Sequence, residues 1–279
     1  VNPALSATLD GSPRLHYLEW NPHASATLVL VHGNSANAGW WQWTVAALPL
    51  TNLRIVALDL RGHGDSEWVR PPAYSPPAYA DDLARLIETL ELFQPIIAGH
   101  SMGGIATLAL AHRRPDLARA LVAIDIAVTS TARRNRYLRH LKALPTVIYP
   151  DLATAKAKFR LMPNEGNIPP EILEAIAVDS LIRTPAGGYT MKFDRESFFG
   201  SDGLEVAAAI RQLTVPMLLI RGGQSRILTA EAATAAAQSS PRVSLMTIPD
   251  AHHHLPLESP RELALAIANF IGKLPNPSG

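Results

Sequence analysis

Apolar residues fall into two kinds of run along this chain, and the two kinds alternate. Thr27-Leu28-Val29-Leu30-Val31, Arg54-Ile55-Val56-Ala57-Leu58, Ile96-Ile97-Ala98 and Leu121-Val122-Ala123-Ile124 are short and almost unbroken by polar residues. That pattern suits strands buried on both faces of a parallel sheet. Between them lie stretches of helical spacing. One carries Trp40, Trp41 and Trp43; the next carries Leu83, Leu86, Ile87 and Leu90; a third runs to about His112. Pro71, Pro72, Pro76 and Pro77 read as a loop before the second helix, and Asp81 and Asp82 suit its N-terminus. The chain opens with two alternating segments, Leu5 to Asp10 and Arg14 to Glu19, and Gly11-Ser12-Pro13 between them predicts a hairpin. Strand and helix in alternation predict an α/β fold: a mostly parallel sheet flanked by helices.

The alternation stops after Asp125. From Thr129 to Glu205 there are helical periodicities (Arg139 to Leu144, Leu152 to Leu161, Glu171 to Leu181) punctuated by Pro145, Pro150, Pro163, Pro169 and Pro170, and no clear buried strand. Strands return at Met217 to Arg221 and Val243 to Ile248, and a closing helix spans Arg261 to Leu274. The expected organisation is one core domain, residues 1–128 and 206–279, interrupted by a helical cap at 129–205. No internal repeat or low-complexity tract interrupts it.

Composition narrows the chemistry more than the fold. The 279 residues carry a formal charge of +1, which gives no reason to expect nucleic acid or an anionic membrane as partner. Arg133-Arg134-Asn135-Arg136 is short and reads as a solvated helix face rather than a binding patch. With no cysteine, thiolate metal sites, disulfides and cysteine nucleophiles are excluded. No apolar run reaches the ~20 residues needed to span a bilayer. Val1 to Leu5 shows no basic and apolar leader pattern, so the expectation is a cytoplasmic protein.

The stretch with the most specific chemistry is Gly99-His100-Ser101-Met102-Gly103-Gly104. It sits where a buried strand ends and a helix begins, with G-x-S-x-G across the turn. Only small residues two before and two after the serine let strand and helix approach that closely. Ser101 is therefore held above the end of the sheet at a helix N-terminus, as a nucleophile would be.

Taken with His32-Gly33-Asn34, the Asp59 to Ser66 stretch and Ala251-His252-His253-His254, this order and spacing resembles the α/β-hydrolase fold superfamily over nearly the whole chain. The resemblance implies a serine nucleophile, a late histidine base, an acid and an oxyanion hole of backbone amides. Ser101 takes the first role. Among the three consecutive histidines, the family register before Glu258-Ser259-Pro260 favours His253 as base, with His252 and His254 as the alternatives. Adjacent side chains cannot converge on one ion, so the histidine run is not read as a metal site. Asn34 and Met102 are the implied oxyanion-hole donors. His32 is implied to brace its turn, and Asp59, Arg61, His63, Asp65 and Ser66 to form a structural loop around Gly62 and Gly64.

The acid departs from the family pattern. The position after the Met217 to Arg221 strand where an aspartate is expected holds Ser225, followed by Arg226. Asp125, at the end of the strand after the nucleophile helix, is the replacement. Some branches of the family use that strand end, and it opens onto the same crevice as Ser101. The competing use of Asp125 is as a cap for the next helical turn.

The function expected from the resemblance is a serine hydrolase of carboxylic esters or related acyl compounds, without metal or organic cofactor, acting on a small-molecule substrate. Tyr137, Leu141, Phe159, Leu161, Met162, Phe198 and Phe199 are available to make an apolar pocket; Trp40, Trp41 and Trp43 either line it or pack in the core. The same residues would serve carbon–carbon bond hydrolysis or lactone opening. The missing acid at Ser225 also leaves room for a catalytically impaired ligand-binding relative.

Overall fold

The chain opens with β1 (Leu5–Leu9) and β2 (Leu15–Trp20), antiparallel from Leu5 opposite Glu19 to Leu9 opposite Leu15. They belong to a computed structural model that describes residues 2–49, 52–198 and 204–275. Next come β3 (Ala26–Val31), a single turn at Ala38–Trp41, α1 (Gln42–Ala47), β4 (Leu53–Leu58) and α2 (Pro76–Thr89). β5 (Ile96–His100), α3 (Met102–Arg113) and β6 (Ala120–Ile124) follow. The next segment holds α4 (Ala132–Ala143), α5 (Leu152–Lys158), α6 (Pro170–Asp179), β7 (Leu181–Arg183) and β8 (Tyr189–Met191). The chain closes with α7 (Val206–Arg211), β9 (Met217–Gly222), α8 (Ala230–Gln238), β10 (Val243–Ile248), α9 (Leu255–Glu258) and α10 (Pro260–Lys273).

The eight-stranded main sheet has the order β1-β2-β4-β3-β5-β6-β9-β10. β2 runs antiparallel to β1 and β4, and all the other neighbours are parallel. The unbroken apolar runs follow from burial on both sides. Val29 and Val31 join a core with Leu83 and Leu86 of α2 and Ile105 and Leu108 of α3. Leu28 and Leu30, pointing the other way, join a second core with Val45 of α1 and Leu263, Ile267 and Phe270 of α10. Truncating one of these, Leu28→Ala for example, would cost about 2–5 kcal/mol. All the parallel strands deliver their C-terminal ends to one edge, where the loops carrying Asn34, Ser101, Asp125 and His253 gather.

Two details differ from the sequence expectation. α2 starts at Pro76, so Pro76 and Pro77 lie inside its first turn and Asp82 lies mid-helix, buried against Arg61 at 2.6 Å. Proline is well placed there: its missing N–H has no acceptor in the first turn anyway, and Ser75 caps the helix by accepting from the Ala78 N–H. Between β6 and α7 the helices come with a small antiparallel sheet, β7 and β8, separate from the main one. Among the described residues, no helix is long and apolar enough to cross a membrane. Phe199 lies outside the described residues.

Candidate functional site

Ser101 sits at φ 52°, ψ −117° between β5 and α3, a left-handed conformation that costs a non-glycine residue about 1–3 kcal/mol. Its surroundings leave no looser path. A Cβ on Gly99 would come within 2.5 Å of the Gly103 backbone. A Cβ on Gly103 would come within 2.4 Å of the Val31 and His32 carbonyl oxygens. Strand and helix can therefore pack only through glycine at both places. The turn is held by the Ser101 N–H donating to Ile124 O at 2.8 Å, and by the Gly104 and Ile105 N–H groups donating back to Ser101 O.

The structure brings the predicted serine, histidine and aspartate together. His253 Nε2 lies 3.1 Å from Ser101 Oγ, and His253 Nδ1 lies 2.7 Å from Asp125 Oδ2. Because an ionised carboxylate only accepts, Nδ1 carries the imidazole proton and Nε2 presents its lone pair to the serine hydroxyl. Asp125 is fully buried at the end of β6, with φ 48°. Such a carboxylate needs donors, and it has three. Besides His253, the Gly222 N–H donates to Oδ1 at 3.2 Å and Ser225 Oγ donates to Oδ2 at 2.5 Å. Asp125 is thus not a cap for the following turn. Ser225, at the family's usual acid position, is a partner that sequence reasoning missed; the signal available for it was a polar residue at the one place where a carboxylate was expected.

The other histidines hold the frame. His100 Nε2–H donates to the His253 carbonyl at 2.8 Å. Burial, then the neighbouring His253 and His254 rings, hold His100 well below the ordinary imidazole range. Burial, then His253, likewise holds His254 down to about 3. Both rings therefore stay neutral at neutral pH. His254 Nε2–H donates to Pro163 O at 2.7 Å, tying the segment between α5 and α6 to the His253 loop. The carboxylate of Glu258 takes the His252 and His254 N–H groups and closes the same loop. His32, buried, donates to Gly33 O from Nδ1 and accepts the Leu60 N–H at Nε2. Burial lowers its pKa, which keeps it neutral in that bracing role.

The serine opens into a cavity of about 200 Å³. Asn34 and Met102 stand beside Ser101 in its wall, with Met102 at the first position of α3, where the N–H has no acceptor inside the helix. The side chain of Asn34 ties the loop instead, its Nδ2 donating to Ser197 O at 3.1 Å. Ile105, Val128, Leu138, Leu141, Met162 and Phe198 make the wall largely apolar. Of the residues expected there, Tyr137, Leu141, Met162 and Phe198 line the cavity, whereas Phe159 and Leu161 pack with Trp40, Ile172 and Ile176 beside it. The tryptophans take the packing role: Trp41 is fully buried in the second core, and Trp40 and Trp43 join the Phe159 cluster. The arginine run is not uniform. Arg133 and Arg136 are exposed, but Arg134 lines the cavity.

The Asp59 to Ser66 loop does a different job. Asp59 accepts from His16 Nδ1 at 2.7 Å, the Ala38 N–H at 2.6 Å and the Asp65 N–H at 3.0 Å, while Ser66 Oγ donates to the Asp59 carbonyl at 2.6 Å. Ligand atoms of His16, Asp59 and Asp65 lie within 4.8 Å of one another. Those hydrogen bonds, with Lys192 on Asp65 at 2.9 Å, make the group a closed knot rather than an open cation shell.

Comparison with known proteins agrees with this architecture. The chain is 28% identical over 251 residues to 2-(acetamidomethylene)succinate hydrolase of Mesorhizobium japonicum, covering 88% of this chain and 87% of that protein. The crystal structure of E-2-(acetamidomethylene)succinate hydrolase superposes with a TM-score of 0.83 at 26% identity, over 96% of this chain and 99% of that one. Lipase LipV of Mycobacterium tuberculosis is 31% identical over 175 residues, covering 63% of this chain and 65% of that protein. The alpha/beta hydrolase family model matches residues 28–266, and the chain belongs to that family.

Proposed function

We propose that the protein is a serine hydrolase that cleaves carboxylic esters or related acyl substrates through an acyl-enzyme. The observation that carries this is the unbroken hydrogen-bonded line Asp125–His253–Ser101, ending in an apolar cavity. A serine hydroxyl is a weak nucleophile until a base removes its proton during attack. In this reading His253 Nε2 takes the Ser101 proton as Oγ attacks the substrate carbonyl. Asp125 stays ionised and steadies the imidazolium. The N–H groups of Asn34 and Met102 are aimed at the tetrahedral oxyanion, where one such donor is worth about 10²–10³ in rate. Collapse expels the alcohol, which takes its proton from His253. Water, deprotonated by His253, then attacks the acyl-enzyme and releases the acid and Ser101. Residues 129–205 act as the lid, since the cavity wall away from the sheet comes from Tyr137, Leu138, Leu141, Met162 and Phe198.

Pre-steady-state hydrolysis of short- and medium-chain nitrophenyl esters tests the reading. The expected result is a burst of nitrophenol stoichiometric with enzyme, with Ser101→Ala lowering kcat by about 10⁴-fold or more. Turnover of lactones or of carbon–carbon bonds that depends on Ser101, in place of esters, would move the reaction class while keeping the nucleophile. Ser101→Ala as active as the wild type would end the proposal.

A further inference from the structure

α4 turns one face toward the cavity. Arg134, Tyr137, Leu138 and Leu141, spaced i, i+3, i+4 and i+7, all line it, while Arg133, Arg136 and Arg139 are exposed. Among the described residues Arg134 is thus the one guanidinium in a wall otherwise dominated by aliphatic and aromatic side chains. It is also a cation in the first turn of a helix, against the helix dipole.

Among the described residues, nothing compensates that charge. Other shielded arginines have acceptors: Arg54 meets Glu19 and Arg61 meets Asp82, both at 2.6 Å, while Arg195 donates to Leu141 O at 3.0 Å and Arg221 to Leu228 O at 3.2 Å. Among the described residues, the Arg134 side chain has no hydrogen-bond or ion-pair partner, and burial alone pushes its pKa below the ordinary arginine range. Glu205 is the one acid in the cavity wall among the described residues. Its Oε2 is taken by the Ala208 N–H at 2.7 Å and lies 3.4 Å from Arg211, so its charge is committed to the start of α7. A half-buried guanidinium with five donors and no acceptor is unfavourable in the empty protein and favourable once an anion enters.

We propose that Arg134 is the anion anchor of this cavity and that its substrates carry a free carboxylate in addition to the bond cleaved at Ser101. A single guanidinium matches one carboxylate in charge and in the spacing of its donor fork, whereas a phosphate dianion would need a second cation. The low-dielectric wall strengthens the discrimination, because a neutral ligand leaves Arg134 desolvated and unpaired. The identity of the bond cleaved rests on the serine-hydrolase reading; the anion preference does not.

The test has two arms that fail separately. In the first, kcat/KM is compared between the nitrophenyl monoester of glutaric acid and its neutral isostere, in which an isopropyl group replaces the carboxylate. The wild type should prefer the acid by about tenfold or more, and Arg134→Met should lower that preference by about 10–100-fold, the size of one charge-assisted hydrogen bond. Arg134→Lys should keep part of it, since the charge remains while the fork is lost. The second arm needs no turnover: calorimetric binding of monomethyl glutarate and of methyl hexanoate to Ser101→Ala, with and without Arg134→Met. Selective binding of the acid that Arg134→Met abolishes supports the anchor even if no ester is hydrolysed. In the binding arm, no preference for the acid, including no detectable binding of either probe, overturns it. An equal preference in Arg134→Met does the same in either arm.

Discussion

Two buried aspartates in this molecule each hold an imidazole that in turn faces a serine. Asp125 lies 2.7 Å from His253, whose other nitrogen is 3.1 Å from Ser101 Oγ. Asp59 lies 2.7 Å from His16, whose other nitrogen is 2.9 Å from Ser6 Oγ. By distance the two lines are equivalent; their settings are not. Ser6 is exposed near the start of β1, its backbone already paired opposite Leu18. No helix starts there, and the cleft beside it carries charged side chains, with Asp65, Asp179 and Lys192 in its wall. Ser101 has a strained turn, a helix N-terminus and an apolar cavity. In the proposed reading, what sets an acyl-transfer site apart from such a line is free N–H donors and the exclusion of water, not the distances between hydroxyl, imidazole and carboxylate.

The largest expected effect separates the two aspartates directly. Asp125→Asn should lower kcat per folded molecule by about 10⁴-fold. Asp59→Asn should do the opposite: kcat per folded molecule within about twofold of wild type, and a loss of about 3 kcal/mol in urea unfolding, the scale for breaking a buried ion pair. Ser6→Ala should change neither quantity. If Asp59→Asn or Ser6→Ala impaired ester turnover as strongly as Asp125→Asn, the distinction between the two lines would collapse.

A smaller effect lies in the pH dependence of stability. Burial opposes the charge on Asp59, but the His16 hydrogen bond and the nearby His32 and His16 outweigh it, and the carboxyl is held below its usual range. On His16, burial is likewise outweighed by the bond to Asp59 and its charge, and the imidazole is raised. The Asp59 contribution is present above the unfolded carboxylate pKa, about 3.9, and is lost as pH falls through its depressed folded value. That of His16 is present below the unfolded imidazole pKa, about 6.5, and is lost as pH rises through its elevated folded value. The pair is therefore fully effective between about pH 4 and pH 6.5. The unfolding free-energy difference between wild type and His16→Gln should be greatest in that window and shrink on both sides. A difference independent of pH would mean that His16 acts by packing alone.

Much of this was legible in the sequence because burial on both faces writes itself as unbroken apolar runs. Strands β3 to β6 could be read for that reason, and the turn at Ser101 because only glycine fits around it. The start of α2 was not, since Pro76 and Pro77 look like breakers unless they occupy the first turn. β7 and β8 were not, since each is three residues long and their side chains are mixed in burial. His253 is indistinguishable from its two neighbours by composition; the family register separated them, and the structure points its ring at Asp125 and Ser101. Arg134 was hidden for a related reason. It differs from Arg133 and Arg136 only in helical phase, and phase has no meaning until the position of the wall is known.

The smallest expected effect concerns Ser225, where the family commonly has its acid. Its hydroxyl gives Asp125 one of three hydrogen bonds and also accepts the Ile227 N–H at 3.1 Å, so it joins the loop after β9 to the carboxylate. Ser225→Ala leaves Asp125 with His253 and the Gly222 N–H, and kcat should fall about two- to tenfold, less than the full worth of a hydrogen bond to a charged group because two donors remain. Ser225→Asp should be worse in the wild-type background, because two buried carboxylates would share one imidazole. Combined with Asp125→Asn it should recover at least about tenfold of the lost rate, since a carboxylate would again lie within reach of His253 Nδ1. No recovery in the double variant, with the fold intact, would mean that a carboxylate at 225 cannot reach His253, and that the end of β6 is where this chain has to carry its acid.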